Sequence, residues 1–539
     1  MMRPRDYISR SWLLSFVKTK TGRASITASI VFILLILISA VWPSGSRGEY
    51  ISGLGAPKGR LHLLVPATSS NADLCKLMLS AQILGYPAPV LINYGAEENP
   101  DPYVQHLAKV ETLLTYMHSI KSNSSYSEDL VLILDGYDIW LQLPADVLVR
   151  RYFEANRRAD DRVIAAYGQA KALEYDMRQT ILFGPDKLCW PTDYSRPACW
   201  AVPEVQLDDY AFGPGTSGGD ELFDQPRWLN SGTVIGPAQD LIDLFQATLD
   251  EIHSNYVTNS DQYYFAEIFG RQEYARLSRD ADLMAHYKGL RYKEEIGNPD
   301  AVLERTNADI ARIRTEYYVG IDYNSTMFQT MAFYKQSLTW MRPVDSWAKP
   351  GELHSASRYS NQLPLDLSLS LPPYHALGDN KTSWAEQELH YNAITGHMPV
   401  AVHYTPPEKD YRTIWWDRIW LYRRAEELRN ATIRHRKNQN EVVIHHQPIN
   451  GILWVNSETE ELKRHRKAGD SGADSDTEGW VDWDTLCKNS EEHLYGVPEK
   501  DYRHPWNTTD TENSSSEGLT NADVFVDLLT SPHANDTHS

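Results

Sequence analysis

Asp135 and Asp138, separated by Gly136 and Tyr137, follow directly on residues 130–134, a run of apolar, partly β-branched side chains. That run is too short for an ordinary helix and suits a strand buried on both faces. Open α/β sheets bind their ligands at the carboxyl ends of such strands, so two carboxylates across a Gly-Tyr turn would converge on one point there. Hard oxygen ligands of this kind suit Mn²⁺ or Mg²⁺, which keep positions open for a substrate's phosphates. The competing reading of an isolated Asp-x-x-Asp is that one carboxylate caps the next turn and the other is solvated. Three further stretches carry chemistry-bearing residues. Asn230, Ser231 and Gly232 form a polar stretch between apolar runs, and a turn there would carry side chains into a cleft. Asp261 and Gln262 follow Asn259 and Ser260 at the acidic start of an amphipathic helix, where Ser260 or Asp261 could equally be a cap. His403 ends the apolar segment 398–402, a place that structural histidines also fill.

Alternating strand and helix patterns surround these residues. Residues 61–65 read as a strand, 71–85 as a helix with Leu74, Leu77, Met78 and Ala81 on one face, and 90–92 as a second strand. Val110, Leu113, Leu114 and Met117 recur at helical spacing before the strand that delivers Asp135. Pro144 opens a helix expected to reach about residue 156, and 163–166 reads as another strand. This βαβαβ succession predicts an α/β fold of parallel strands with helices on both faces, a nucleotide-binding half in architecture. No Gly-x-Gly-x-x-Gly and no Walker loop occurs, which disfavours dinucleotide enzymes and phosphate-loop ATPases.

The chain has 539 residues, 42% of them hydrophobic, enough for a large core. Its net charge of −20 argues against a nucleic-acid partner, which requires a basic face. Cys75, Cys189, Cys199 and Cys487 are an even set that fits one or two bridges in an oxidising compartment, with the pairing open. The first 23 residues are basic, and residues 24–42 carry no charge over a length that can cross a bilayer. By the positive-inside rule this predicts a single-pass anchor with everything after about residue 43 lumenal; a cleaved signal peptide is the alternative. Sequons at Asn123, Asn324, Asn380, Asn430, Asn507, Asn513 and Asn535 agree with a lumenal location.

Taken in order, Val65-Pro66-Ala67-Thr68, Lys109, Asp135-Gly136-Tyr137-Asp138, Cys189-Trp190-Pro191, Leu229-Asn230-Ser231-Gly232, Asp261-Gln262, Asp322-Tyr323 with Phe328-Gln329, and Pro399 with His403 resemble the glycosyltransferase domain of the procollagen lysyl hydroxylases and related lumenal collagen-modifying glycosyltransferases. The resemblance covers about residues 59–405. It implies a GT-A fold, a Rossmann-like nucleotide-binding half joined to an acceptor half, and Mn²⁺ or Mg²⁺ with a UDP-sugar donor. Position by position it implies that Asp135, Asp138 and His403 hold the metal and that Val65 and Thr68 lie against the uridine. Lys109 and Tyr137 would stand by the nucleotide, with Asn230 and Asp261 near the transferred sugar, Asp261 as catalytic or orienting carboxylate. The function implied is a type II membrane hexosyltransferase of the Golgi or endoplasmic reticulum, moving glucose or galactose to a protein or glycan acceptor.

Two departures from that pattern keep other readings in view. Asp261 follows Asn259 and Ser260 instead of an acidic run, and His403 is followed by Tyr404-Thr405-Pro406 instead of Gly-Asn-Gly. A catalytically inactive glycan-binding or escort protein, or a nucleotide-sugar hydrolase, would retain the same skeleton. The expected organisation is a cytosolic tail 1–23, an anchor 24–42, a stem 43–58, the GT-A domain 59–406, a helical and strand extension 407–455, and an acidic, mostly disordered tail 456–539. Within the extension, 410–436 reads as one helix with Trp415, Trp416, Ile419 and Trp420 on a side that packs on the domain or, less simply, lies on a membrane surface.

Overall fold

The computed structural model describes residues 56–97, 101–123, 128–204, 207, 211–213, 221–285, 307, 310–311, 313–343 and 362–496. The anchor expected at 24–42 and nearly all of the stem lie outside the described residues, among which no helix is long and apolar enough to cross a membrane.

The first half runs β1 (Lys58–Pro66), α1 (Ala72–Ile83), β2 (Val90–Ile92), α2 (Pro102–Asn123), β3 (Glu128–Leu134), β4 (Ile139–Leu141), α3 (Ala145–Tyr167), β5 (Ile181–Asp186), β6 (Trp228–Pro237), α4 (Ala238–Ser254) and α5 (Asp261–Leu277). The second runs β7 (Val319–Ile321), β8 (Phe328–Thr330), β9 (Leu338–Met341), β10 (Leu389–Asn392), β11 (Ala401–His403), α6 (Ala425–Lys437), β12 (Leu453–Asn456), α7 (Glu460–Ala468), β13 (Gly472–Ser475), β14 (Val481–Asp482) and α8 (Trp483–Cys487). The central sheet has nine strands in the order β14-β13-β2-β1-β3-β6-β5-β7, with β12 also pairing β1. The protein is therefore an α/β structure around a mixed sheet.

Local sequence explains the elements that carry the site. Residues 61 and 63–65 of β1 and 130–134 of β3 are buried, as strands covered on both faces require. Asn71 caps α1, its Oδ1 accepting from the backbone N–H of Asp73 and Leu74 at 3.0 and 2.9 Å. The parallel register of β1 with β2 and β3 brings Pro66 level with Ile92 and Leu64 level with Ile133, so their loops emerge along one edge. A second, three-stranded sheet, β4-β11-β8, stands beside that edge.

Several expectations are corrected. The strands are not all parallel: β6 runs antiparallel to both β3 and β5. Residues 163–166 are not a strand but the last turn of α3, which ends at Gly168 with φ 81°. Helical pairs Arg157–Glu154 and Arg158–Glu154 reinforce the helix past the expected stop. Residues 229–232 are not a turn; they lie within β6, at a register shift opposite residues 183–184. The stretch 410–436 is broken into short turns before α6. Its Trp416, Ile419 and Trp420 are buried, with Trp416 edge-on to Trp140 at 5.4 Å, so this side packs on the domain.

The largest correction concerns the C-terminal part. Neither 407–455 nor the start of the tail is separate from the sheet: β12 pairs with residues 58–61 of β1, and β13 with Val90 and Leu91 of β2. Cys487 is bonded to Cys75 on α1, and Cys189 to Cys199. Residues 456–496 are folded, because Trp454, Leu462, Ala473, Val481, Trp483 and Leu486 supply buried apolar side chains within acidic surroundings. The rest of the expected tail, 497–539, lies outside the described residues.

Candidate metal centre

Each of three candidate ligands is delivered by a different piece of this framework. Asp135 is the first residue beyond β3, and its N–H donates to the carbonyl of Gly232 on β6 at 2.9 Å. Asp138 opens the path into β4. His403 ends β11, which pairs antiparallel with β4 so that His403 faces Ile139, and the N–H of Tyr404 donates to the Asp138 carbonyl at 2.8 Å. One ligand atom from each of Asp135, Asp138 and His403 lies within 4.8 Å of the others.

Gly232 makes room for this. A Cβ there would stand 2.2 Å from His403 Cε1 and 2.8 Å from both ring nitrogens. Gly136 serves similarly beneath the loop, where a Cβ would meet the Pro66 carbonyl at 2.7 Å. Both glycines are required by close approach.

Charge is matched on both sides of the triad. Lys109 on α2 bridges Asp135 and Asp261, its Nζ 3.0 Å from a carboxylate oxygen of each. His106, one helical turn earlier, places Nδ1 3.5 Å from the other Asp261 oxygen. Asp138 has His403 Nε2 at 3.3 Å and Lys409 Nζ at 3.2 Å. Burial alone would raise the Asp138 carboxyl, but the imidazole and the ammonium hold it down at about 2. Burial would lower His403, and the Asp138 and Asp135 carboxylates raise it instead. Asp261, 2% exposed, is likewise held below its ordinary range against burial by Lys109 and His106.

A divalent cation fits this donor set. His403 Nδ1 is buried and has no hydrogen-bond partner among the described residues, and the buried Asp138 Oδ1 faces His403 Nε2 at 3.3 Å. Two carboxylates and an imidazole leave positions for oxygen ligands of a substrate.

The remaining residues singled out from the sequence divide. Thr68 and Tyr137 are together, the Tyr137 hydroxyl 3.4 Å from Thr68 Oγ1 and accepting from the Ser69 N–H at 2.9 Å. Val65 is fully buried under Gly136, so it supports the loop and offers a ligand no surface. Lys109 is engaged by carboxylates. Asn230 is buried, its Oδ1 accepting from Gly232 N–H at 3.1 Å and its Nδ2 3.4 Å from Asp186 Oδ2.

Asp186, Lys409 and His106 were missed. Asp186 closes the apolar run of β5 as Asp135 closes that of β3, and that parallel was the available signal; burial pushes its carboxyl up to about 6. His106 stands three residues before Lys109, which marks a shared helix face. Lys409 belongs to an irregular stretch after β11, and no local pattern ties it to Asp138.

An α/β framework with two aspartates and a histidine converging at the carboxyl edge of its sheet is the class that fold and site define. The chain matches no protein-family model, and no curated protein matches it.

Proposed function

We propose that this protein is a metal-dependent UDP-sugar glycosyltransferase of the GT-A type, which moves glucose or galactose to a protein or glycan acceptor in the secretory pathway. A signal anchor at 24–42 would hold it in a Golgi or endoplasmic-reticulum membrane with the domain lumenal. The observation that carries the proposal is the convergence of Asp135, Asp138 and His403 at the sheet edge where the sequence resemblance puts a metal. These three residues would hold Mn²⁺ or Mg²⁺, which when bound supplies Lewis-acid stabilisation of a leaving diphosphate.

The other side chains support the same reading. Lys409, 43% exposed, is a mobile-stemmed cation at the cleft, suited to a diphosphate once the metal takes over Asp138. Tyr137 and Thr68 offer hydroxyls on the β1 side for a nucleoside. Asp261, buried and kept ionised by Lys109 and His106, holds the Lys109 ammonium beside Asp135, and Asn230 buttresses the strand beside it. The two disulfides agree with a lumenal compartment.

One observation favours the second reading, an inactive glycan-binding or escort protein: lysines already neutralise Asp135 and Asp138. Calorimetric titration of UDP into the full chain, with Mn²⁺ and with chelator, separates the two. Binding that needs Mn²⁺ and is lost in Asp138→Ala is expected. Folded protein that binds UDP in neither condition would sink the transferase. Given binding, UDP release from UDP-glucose or UDP-galactose that rises with added acceptor distinguishes transfer from hydrolysis.

A further inference from the structure

The carboxyl edge of the sheet continues past the triad, from β3 to β1, β2 and β13. These four strands run parallel, so the loop after β13 emerges beside the loops that follow β1 and β2. That loop comes from the C-terminal part of the chain, beyond the segment that carries the family resemblance. The three loops are tied together. Gly95 N–H donates to the Thr68 carbonyl at 2.9 Å, and Thr477 Oγ1 donates to the Tyr94 carbonyl at 2.7 Å. The Asp476 carboxylate accepts from Asn93 N–H at 3.0 and 3.1 Å, and Ser475 Oγ accepts from the N–H groups of Thr477 and Glu478 at 3.2 and 3.1 Å.

This turn holds Glu478 over Gly95, where a Cβ would stand 3.1 Å from Glu478 Oε1. Glu478 is exposed, and its carboxylate has neither an ion pair nor a hydrogen bond among the described residues. Its acidic neighbours differ: Asp476 is engaged by Asn93, and Asp474 accepts from Ser475 N–H at 3.0 Å and faces Thr459 Oγ1 at 3.3 Å. Tyr94 and Tyr137 pack against the core and stay half-buried. Burial raises the Tyr94 hydroxyl above its ordinary range, and the Glu478 carboxylate and then Tyr137 add to the rise, so the three side chains share one wall.

Neighbouring strands stand about 4.8 Å apart, so the loop after β2 lies about 10 Å along the edge from the strand that delivers Asp135. A diphosphate at the triad with its ribose over the loop after β1 carries its base toward Tyr94 and Glu478. A carboxylate accepts from a base N–H and repels a ring nitrogen that presents a lone pair. Uracil has an N–H at N3, and cytosine has a lone pair there, so such a group tells them apart. Resting on the donor-site reading above, we propose that Glu478 reads the base of the donor nucleotide, accepting from uracil N3–H while Tyr94 lies against the ring. The C-terminal part of the chain then sets the preference for uridine, and closes the sheet as well.

The test is calorimetry on the full chain with Mn²⁺, using UDP and CDP as probes. UDP is expected to bind more tightly than CDP. Glu478→Ala should weaken UDP about 10- to 100-fold, the range of a hydrogen bond to a charged group, and should not weaken CDP. Glu478→Gln keeps an acceptor oxygen and gains a donor, so it should retain more UDP affinity than Glu478→Ala and bind CDP better than the unaltered chain does. Glu460→Ala, which removes a carboxylate 91% exposed on α7, should change neither affinity. Mn²⁺-dependent UDP binding that Glu478→Ala leaves intact, CDP bound as tightly as UDP by the unaltered chain, or an equal loss of both nucleotides in Glu478→Ala would overturn the role of Glu478 and leave the donor site standing. Folded, unaltered chain that binds no UDP would remove the donor site, and this role with it.

Discussion

Gly232 decides whether His403 can reach the two aspartates, because its missing side chain is the space the imidazole fills. Gly232→Ala forces the ring away or β6 outward, and overpacking of this kind costs about 1–3 kcal/mol. We expect Mn²⁺ affinity, read by calorimetry, to fall at least about tenfold while thermal unfolding stays cooperative; unchanged affinity would show that His403 is no ligand. The aspartates were legible in the sequence because a buried strand announces its own carboxyl end. His403 entered only as a strand terminus and through resemblance. That Lys109 spans two carboxylates was not legible, since residues 109, 135 and 261 come together only through the packing of α2 against β3 and α5. Burial of Val65 was not legible either: the loop after β1 faces the cleft, but the strand residue before it faces the core.

β10 carries a titratable group that the site does not use. His390 is fully buried, both ring nitrogens lack partners among the described residues, and its ring packs 5.0 Å from Trp340 and 5.4 Å from Trp415. Burial, with Arg418 adding a little, lowers its pKa to about 3 from 6.5. Above pH 6.5 folded and unfolded chains are both neutral here, and the residue adds no pH dependence. Between 6.5 and about 3 the unfolded chain binds a proton that the folded one refuses, so stability falls as pH falls, by about 1.4 kcal/mol per pH unit well inside that window. His390→Phe removes the proton and no hydrogen bond. Denaturant unfolding between pH 6.5 and 4.5 should show a slope flatter by about one proton for the variant, and parallel curves would refute the burial of a neutral ring. Strands and helices before β4 were readable in this way from periodicity, while α3 overran its expected end. The hydrophobic signal at 163–166 fits a helix face as well as a strand, and only the Gly168 stop decides between them.

The sheet is closed by the part of the chain that sequence composition set aside. β12 covers the first half of one side of β1, β2 the second half, and β13 protects β2 in turn. Acidic composition hid this, because the segment presents its few apolar residues to the core and its charges to water. The Cys75–Cys487 bond then ties α8 to α1 across a separation of 412 residues. A chain ending at residue 452 would leave backbone N–H and C=O groups of β1 and β2 unpaired, an edge that invites aggregation. We expect that shortened chain to be recovered insoluble or without cooperative unfolding. Cys487→Ser keeps the strands and loses only the link, and removing a native bridge typically costs about 2–5 kcal/mol. It should unfold cooperatively at lower temperature, with its Mn²⁺ affinity retained, because no ligand of the triad comes from beyond residue 403. A shortened chain as stable as the full one would make β12 and β13 an appendage to an independently folding domain, and the sheet would then have to be stabilised from the side of β3, β6, β5 and β7.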